Sequence, residues 1–186
     1  DNADTLRGYA GAGGWDITCT MVVVVNQDIP PGRLIADYAE RAGHFTDCFS
    51  CVVPGKVALA DFVTAFYTTP LFRAERLVLR LAARAPSTDA QARAVAEGAS
   101  DQFAIWQVEA RRGNELMMAE RSGRTKSWFK VLPQGSGTQL LFGTVVVPVR
   151  SKSGDLVLGP VFDSLKGAHT FYARSLLAAA ARRLRA

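Results

Sequence analysis

The chain ends in VFDSLKGAHTFYARSLLAAAARRLRA, residues 161–186, and this stretch decides the fold. Its apolar and aromatic side chains recur at steps of three or four, which is the period of one face of an α-helix. The residues on this face are Phe162, Leu165, His169, Tyr172, Leu176 and Ala180. Because alternating strands precede the stretch, we expect a long terminal helix that lies across a curved antiparallel sheet and encloses a pocket.

Alternation with a period of two predicts the strands of that sheet. Four such stretches occupy residues 104–111, 115–120, 125–132 and 138–149. In the first, Trp106, Val108 and Ala110 share one face, which we expect to be the inner one. In the third, Phe129 is expected to point inward and Trp128 outward. The sheet needs cover on its inner face, and the terminal helix is the element long and apolar enough to supply it.

The earlier part of the chain predicts one further strand and several helices. The strand covers residues 45–53 and stops at Pro54. Helical patterns occupy residues 34–42, 57–67, 70–85 and 89–97. The helix that begins at Pro70 has an apolar stripe composed of Leu71, Ala74, Leu77, Val78 and Leu81. An order of strand, helices, antiparallel meander and long helix indicates the α+β class.

Residues 1–43 are expected to form an N-terminal extension of a domain that spans residues 44–186. Residues 1–14 are rich in glycine and alanine without periodicity, which is typical of a flexible leader. Residues 17–25 form an apolar run too short to span a bilayer. This run predicts a buried strand or the trailing end of a signal or anchor. We expect a cytoplasmic protein, with export or membrane anchoring through a preceding segment as the alternative.

Composition narrows the class of protein without naming a function. The chain has 186 residues, of which 48% are hydrophobic and 21% charged, so we expect one globular domain. The formal net charge of +5 is scattered over helix faces and the C-terminus. No nucleic-acid-binding motif accompanies this charge, so no nucleic-acid partner is expected. Weak contact with an anionic membrane surface remains open.

Cysteines and sequence motifs give no sign of a metal or cofactor. Cys48 and Cys51 form a lone CxxC in a predicted strand, without a second pair or histidines at zinc-ligand spacing. Buried strand cysteines are the prediction, with a disulfide, or redox or metal chemistry, as alternatives. The chain lacks a nucleophile elbow, a phosphate loop and a dinucleotide fingerprint. We therefore expect no cofactor and no metal.

The order of elements resembles the helix-grip fold of the START and birch-pollen-allergen (Bet v-like) superfamily, also called SRPBCC, over residues 46–184. Local stretches are similar to uncharacterised bacterial families placed in that superfamily. These stretches are residues 70–80, the strand at 106–111, GRTKSW at 123–128, LFGT at 141–144, and His169 with Tyr172. The resemblance implies a hydrophobic cavity between sheet and terminal helix that holds lipids, sterols or polyketide-like molecules, and occasionally cyclase or hydrolase chemistry. Two features depart from it: about five predicted strands instead of seven, and residues 2–43, which have no counterpart.

A cavity of that kind has a definite set of candidate ligand-binding residues. They are Trp106, Val108, Phe129, His169, Tyr172 and Leu176. His169 and Tyr172 lie three residues apart and are neighbours on a helix. A neutral histidine in a cavity can act as a general base or anchor a ligand, and the alternative is a core histidine bonded to a backbone carbonyl. Glu75 is the third catalytic candidate, its alternatives being a structural ion pair or a charged rim that selects a ligand.

Three functions are compatible with these residues. The first is a binding module that holds a small apolar molecule without covalent chemistry. The second is an enzyme of the cyclase or dehydratase kind that uses His169 and Tyr172, with Glu75 as a further participant. The third is a non-catalytic interaction domain with a filled core. We expect the first, and therefore a protein that is not an enzyme.

Overall fold

The computed structural model describes residues 22–185, apart from the side chains of residues 160–166. The described chain forms nine strands and five helices, and the α+β prediction is confirmed. In chain order they are β1 (Val25–Asn26), α1 (Ala36–Ala39), β2 (Phe45–Pro54), α2 (Leu59–Tyr67), α3 (Pro70–Ala82), α4 (Asp89–Glu97), β3 (Gln102–Phe103), β4 (Trp106–Arg112), β5 (Glu115–Glu120), β6 (Thr125–Gln134), β7 (Gly137–Val146), β8 (Val149–Arg150), β9 (Leu156–Val157) and α5 (Pro160–Arg183). The predicted leader at residues 1–14 and most of the apolar run at 17–25 lie outside the described residues.

Seven of these strands form one antiparallel sheet in the order β1-β2-β7-β6-β5-β4-β3. Central β7 pairs with β2 and β6 along its whole length of 10 residues. The edge strands β1 and β3 have 2 residues each, which is too short for alternation to reveal. The described sheet therefore has two more strands than the alternating pattern indicates.

Helix boundaries follow local signals in the sequence. The Thr69 side chain accepts a hydrogen bond from the Phe72 N–H and begins α3. Thr88 and Gln91 form a capping box at the start of α4. Gly98 ends α4 with a φ of +82°, a conformation that glycine adopts without steric cost. The terminal helix α5 begins at Pro160, next to its predicted start.

Aromatic rings fill the middle of the inner core, between the sheet and α2. The Phe66 ring centroid lies 4.9 Å from that of Phe129 and 4.6 Å from that of Phe142. Phe62 adds an edge-to-face contact with Phe129 at 5.6 Å. The α5 side chains Leu176 and Leu177 are buried in the same cluster. The terminal helix therefore lies on the inner face of the sheet, as its apolar stripe predicts.

The outer face of the sheet is also covered, and Trp128 points toward it, as the alternation predicts. Trp128 does face away from Phe129, but it is fully buried with Ile35 in a second apolar cluster. Gly143 leaves room for this packing, because a Cβ there would lie 2.5 Å from the Ile35 Cδ1 atom. Residues 29–38 thus form a cover on the outer face.

A buried carboxylate fastens this cover to the sheet. Glu115 is 2% exposed and accepts hydrogen bonds from the Leu34 N–H at 3.1 Å, the Trp128 indole at 3.0 Å and the Lys130 ammonium at 3.3 Å. Burial alone would raise the pKa of this carboxyl, but these bonds outweigh burial and hold its pKa below the usual range. The ionised carboxylate therefore stabilises the contact between the cover and β5 and β6.

A β-bulge in β4 corrects the expected alternation of that strand. The register shifts between Val108, which pairs with Met118 of the inner cluster, and Ala110, which pairs with Met117 of the outer cluster. Ala110 therefore does not share the inner face with Trp106 and Val108. Both of those side chains lie at the inner core, Trp106 buried and Val108 partly buried.

Helix α3 directs its apolar stripe toward solvent, although the apolar stripe of a helix is usually buried. Its buried residues are Phe72 and Arg76, and Glu75 and Leu79 are partly buried. Arg76 tolerates burial because its guanidinium donates to the Ser87 hydroxyl and carbonyl at 2.9 and 2.6 Å and pairs with Asp89. The Leu71, Ala74, Leu77, Val78 and Leu81 side chains face solvent instead. This orientation turns Glu75 toward the protein interior.

Candidate functional site

The terminal helix carries three of the six predicted ligand-binding residues on the face that contacts the sheet. Leu176 is buried, whereas Tyr172 and His169 are partly buried. The spacing of three and four residues brings these side chains to one side of α5, as the sequence predicts. The Tyr172 hydroxyl and the His169 ring, however, have different partners.

Tyr172 is paired with Glu75. The Tyr172 hydroxyl of α5 donates a hydrogen bond to the Glu75 Oε2 atom of α3. Burial raises the pKa of the Glu75 carboxyl, and the bond from Tyr172 offsets part of this increase. Burial and the neighbouring Glu75 charge also raise the pKa of the Tyr172 hydroxyl. Two of the three catalytic candidates are therefore in direct contact.

Tyr67 completes what we call the Glu75 cluster, composed of Tyr67, Glu75 and Tyr172. Tyr67 ends α2 and is fully buried, and burial together with the Glu75 charge raises the pKa of its hydroxyl. Among the described residues its hydroxyl has no hydrogen-bond partner. Three helices, α2, α3 and α5, thus each contribute one polar side chain to this cluster. A buried polar group without a partner is costly, which marks this cluster as a candidate binding site.

His169 is paired with Asp47, one turn of α5 away from Tyr172. The His169 Nε2 atom lies 3.7 Å from the Asp47 Oδ2 atom of β2, and the His169 ring meets the Phe45 ring edge-on at 6.3 Å. The Thr144 N–H donates to the Asp47 Oδ1 atom at 3.0 Å. Burial raises the pKa of Asp47, although His169 and Thr144 act in the opposite direction. The structure therefore separates the candidates into a His169–Asp47 pair and a Tyr172–Glu75 pair.

The strand residues predicted to line a cavity have two different environments. Phe129 is fully buried within the aromatic core and touches Phe62, Phe66 and Phe142. Trp106 is 8% exposed, and its indole N–H has no hydrogen-bond partner in the described part of the chain. Phe129 is thus a packing residue, while Trp106 offers an unused donor.

Sequence reasoning missed Tyr67 and Asp47 as members of the site. Tyr67 lies on the apolar face of α2, where a tyrosine reads as an ordinary core residue. Asp47 is the one carboxylate in the predicted strand 45–53, and a lone charge in an apolar strand is the signal that identifies it.

Metal and thiol chemistry find no support in the described geometry. Across residues 22–185, no three histidine, cysteine, aspartate or glutamate side chains are grouped as metal ligands would be. Cys48 and Cys51 are free and buried on opposite faces of β2, which confirms the prediction of buried strand cysteines. Burial raises the pKa of each thiol to about 12, so neither is a reactive thiolate at neutral pH. Cys19 lies outside the described residues.

A separate cavity lies at the opposite end of the sheet from His169. It has a volume of about 420 Å³ and is lined by residues 55–59, 131–133 and 135–138, with Asn114. Its lining includes none of the predicted ligand-binding residues. We therefore do not connect it with the Glu75 cluster.

Comparison with known proteins does not identify a function. No protein-family model, curated protein or solved structure matches the chain. None of the helices formed by the described residues has the length and hydropathy that a membrane-crossing segment requires.

Proposed function

We propose that this protein binds a small, mainly apolar molecule between its sheet and α5, as a helix-grip domain does. The observation that carries the proposal is the Glu75 cluster, which combines the Tyr172–Glu75 hydrogen bond with the fully buried Tyr67 hydroxyl. Because the Tyr67 hydroxyl has no described partner, a ligand that supplies one would relieve an unfavourable burial. Binding pockets commonly combine an apolar wall with a few convergent polar groups of this kind.

The cluster also limits the chemistry of the ligand. Glu75 accepts hydrogen bonds, and Tyr67 can donate or accept one. A ligand with one hydroxyl or amine on an apolar body matches this set. Trp106, Val108 and Leu176 supply apolar contacts for that body. Sterols, fatty alcohols and phenolic polyketides belong to this class, and the resemblance to the START and Bet v-like superfamily favours it.

A fluorescence titration tests the proposal. The neutral probe N-phenyl-1-naphthylamine should bind saturably at one site, and hydroxylated apolar competitors should displace it. The variants Glu75→Gln and Tyr67→Phe should each weaken competitor affinity by about tenfold, the effect of losing one well-placed hydrogen bond in a buried site. The exposed residue Glu97 gives the matched control, and Glu97→Gln should bind like the wild type. Equal competitor affinities in all four proteins would refute a ligand site at Glu75.

A second candidate function is catalytic, and the His169–Asp47 pair favours it. The Asp47 carboxylate, whose Oδ2 atom lies 3.7 Å from the His169 Nε2 atom, can orient the ring as a general base. A cyclase or dehydratase could use His169 as this base, with Tyr172 and Glu75 at the next turn. The variant His169→Ala should then lose turnover of a bound ligand while its melting temperature stays within a few degrees of the wild type. Unchanged turnover would remove His169 from the reaction.

We further propose a cytoplasmic location and, as a third function, an interaction domain with a filled core. The cytoplasmic location expected from the sequence is tested by cell fractionation. A non-catalytic interaction domain is the reading that remains if no apolar molecule binds saturably.

A further inference from the structure

We propose that the outward face of α3 docks onto an anionic lipid bilayer. This face, which we call the α3 stripe, is formed by Leu71, Ala74, Leu77, Val78 and Leu81. The inference does not rest on the proposed ligand, because it uses the opposite side of the helix from Glu75.

The α3 stripe is an unusual surface for a monomeric protein. Leu77, Val78 and Leu81 are 55%, 62% and 74% exposed, and Leu71 is 38% exposed. They lie on one side of a 13-residue helix, so they form a continuous band. Continuous exposed apolar surface of this kind marks an interaction site.

The charges around the α3 stripe favour an anionic bilayer as its binding partner. The one carboxylate of α3, Glu75, faces the interior, so the exposed side of the helix has no negative charge. Arg73 and Arg80 flank the stripe, and Arg84 follows the helix. Asp89 neutralises Arg73, whereas Arg80 and Arg84 have no ion-pair partner among the described residues. Apolar residues bordered by arginines are the pattern of a helix that lies in the interface of an anionic membrane.

The same charges disfavour a second copy of this chain as the occupant. A twofold dimer places the same surface of each copy face to face. The unpaired Arg80 and Arg84 of one copy would then meet a face whose one neighbouring carboxylate, Asp89, is already paired with Arg73 and Arg76. Lipid phosphates supply the negative charge that such a dimer lacks.

Vesicle flotation tests the docking surface with the whole chain. One set of vesicles contains phosphatidylcholine only, and in the other one lipid in three is phosphatidylglycerol. The wild type should float with the anionic vesicles and bind the neutral ones at least about tenfold more weakly. Leu81→Glu and Arg80→Glu should each reduce anionic binding by about tenfold or more. Both side chains are exposed, so the melting temperatures of these variants should match the wild type.

Two control variants and a mass measurement separate the outcomes. Val23→Glu and Arg93→Glu change exposed positions outside α3 and should float like the wild type. The proposal is overturned if the wild type binds neither set of vesicles, or if Leu81→Glu binds as well as the wild type. It is also overturned if light scattering shows a dimer that Leu81→Glu dissociates, which would assign the stripe to a second copy.

Discussion

At the scale of single residues, Glu75 makes stability depend on pH. Burial raises the pKa of its carboxyl above the value in the unfolded chain. The folded protein therefore binds this proton more tightly than the unfolded chain does. The stabilising contribution of the protonated carboxyl is complete below the unfolded pKa and is lost as pH rises through the folded pKa.

The variant Glu75→Gln should remove the loss of stability that Glu75 causes at high pH. We expect its melting temperature to equal that of the wild type near pH 4 and to exceed it by several degrees near pH 8. Thermal unfolding at intervals across this range measures the difference. The exposed Glu97→Gln variant should show no such pH-dependent gain. A constant difference between Glu75→Gln and the wild type at every pH contradicts the account.

Glu115 has the opposite dependence on pH. Its pKa is lowered in the folded protein, so its contribution is present above the unfolded pKa and is lost as pH falls through the folded pKa. Glu115→Gln should lower the free energy of unfolding by about 3 kcal/mol at neutral pH, because Lys130 loses its buried counter-charge. Urea titrations should show this difference shrinking near pH 3. A difference of equal size in acid would mean that the carboxylate charge is irrelevant.

At the scale of elements, the cover formed by residues 29–38 depends on Gly143. A Cβ at this position would lie 2.5 Å from the Ile35 Cδ1 atom and 2.9 Å from the Asp47 carbonyl oxygen. Gly143→Ala should therefore destabilise the protein by roughly 1–3 kcal/mol through overpacking. The matched control is Gly167→Ala in α5, where a Cβ would meet nothing within 4 Å. That substitution should stabilise the helix by up to about 1 kcal/mol. Chemical denaturation distinguishes the two signs, and equal effects would contradict this packing.

Local signals were sufficient to predict most elements and insufficient to orient them. The capping box at Thr88 and the helical period of α5 each depend on residues close together in the sequence. Helices α4 and α5 could therefore be located from the sequence. The orientation of α3 depends on the bonds that Arg76 makes with Ser87 and Asp89 across a loop. The bulge beside Val108 depends on which Met residue of β5 faces each side. Alternation and helical period contain neither kind of information.

The candidate site could be predicted in part for the same reason. A spacing of three residues places His169 and Tyr172 on one face of a helix. Their partners Asp47 and Glu75 come from β2 and α3, and only the tertiary fold decides which carboxylate meets which residue. The sequence alone therefore could not show that Glu75 pairs with Tyr172 and that His169 pairs with Asp47 instead.

At the scale of the whole molecule, both faces of the sheet are covered, and residues 29–38 supply the outer cover. A fragment of residues 44–186 would expose Met117, Trp128 and Leu141, which are at most 1% exposed in the intact protein. We expect this fragment to lose cooperative unfolding and to bind anilinonaphthalene sulfonate, as a loosely packed state does. Circular dichroism melts of the fragment and the whole chain make the comparison. A sharp transition in the fragment would show that residues 44–186 are an independent domain.

The central claim is that a small molecule binds on the inner side of the sheet, and tryptophan indole signals test it most directly. The Trp106 indole N–H lies at the inner core without a described partner, whereas the Trp128 indole is bonded to Glu115 on the outer face. In nitrogen–proton NMR spectra, assigned with Trp106→Phe and Trp128→Phe, the protein is titrated with sterols, fatty alcohols and phenolic polyketides. The account predicts that at least one compound shifts the Trp106 signal saturably and leaves the Trp128 signal in place. A Trp106 signal that no compound moves, or a shift confined to Trp128, would contradict it.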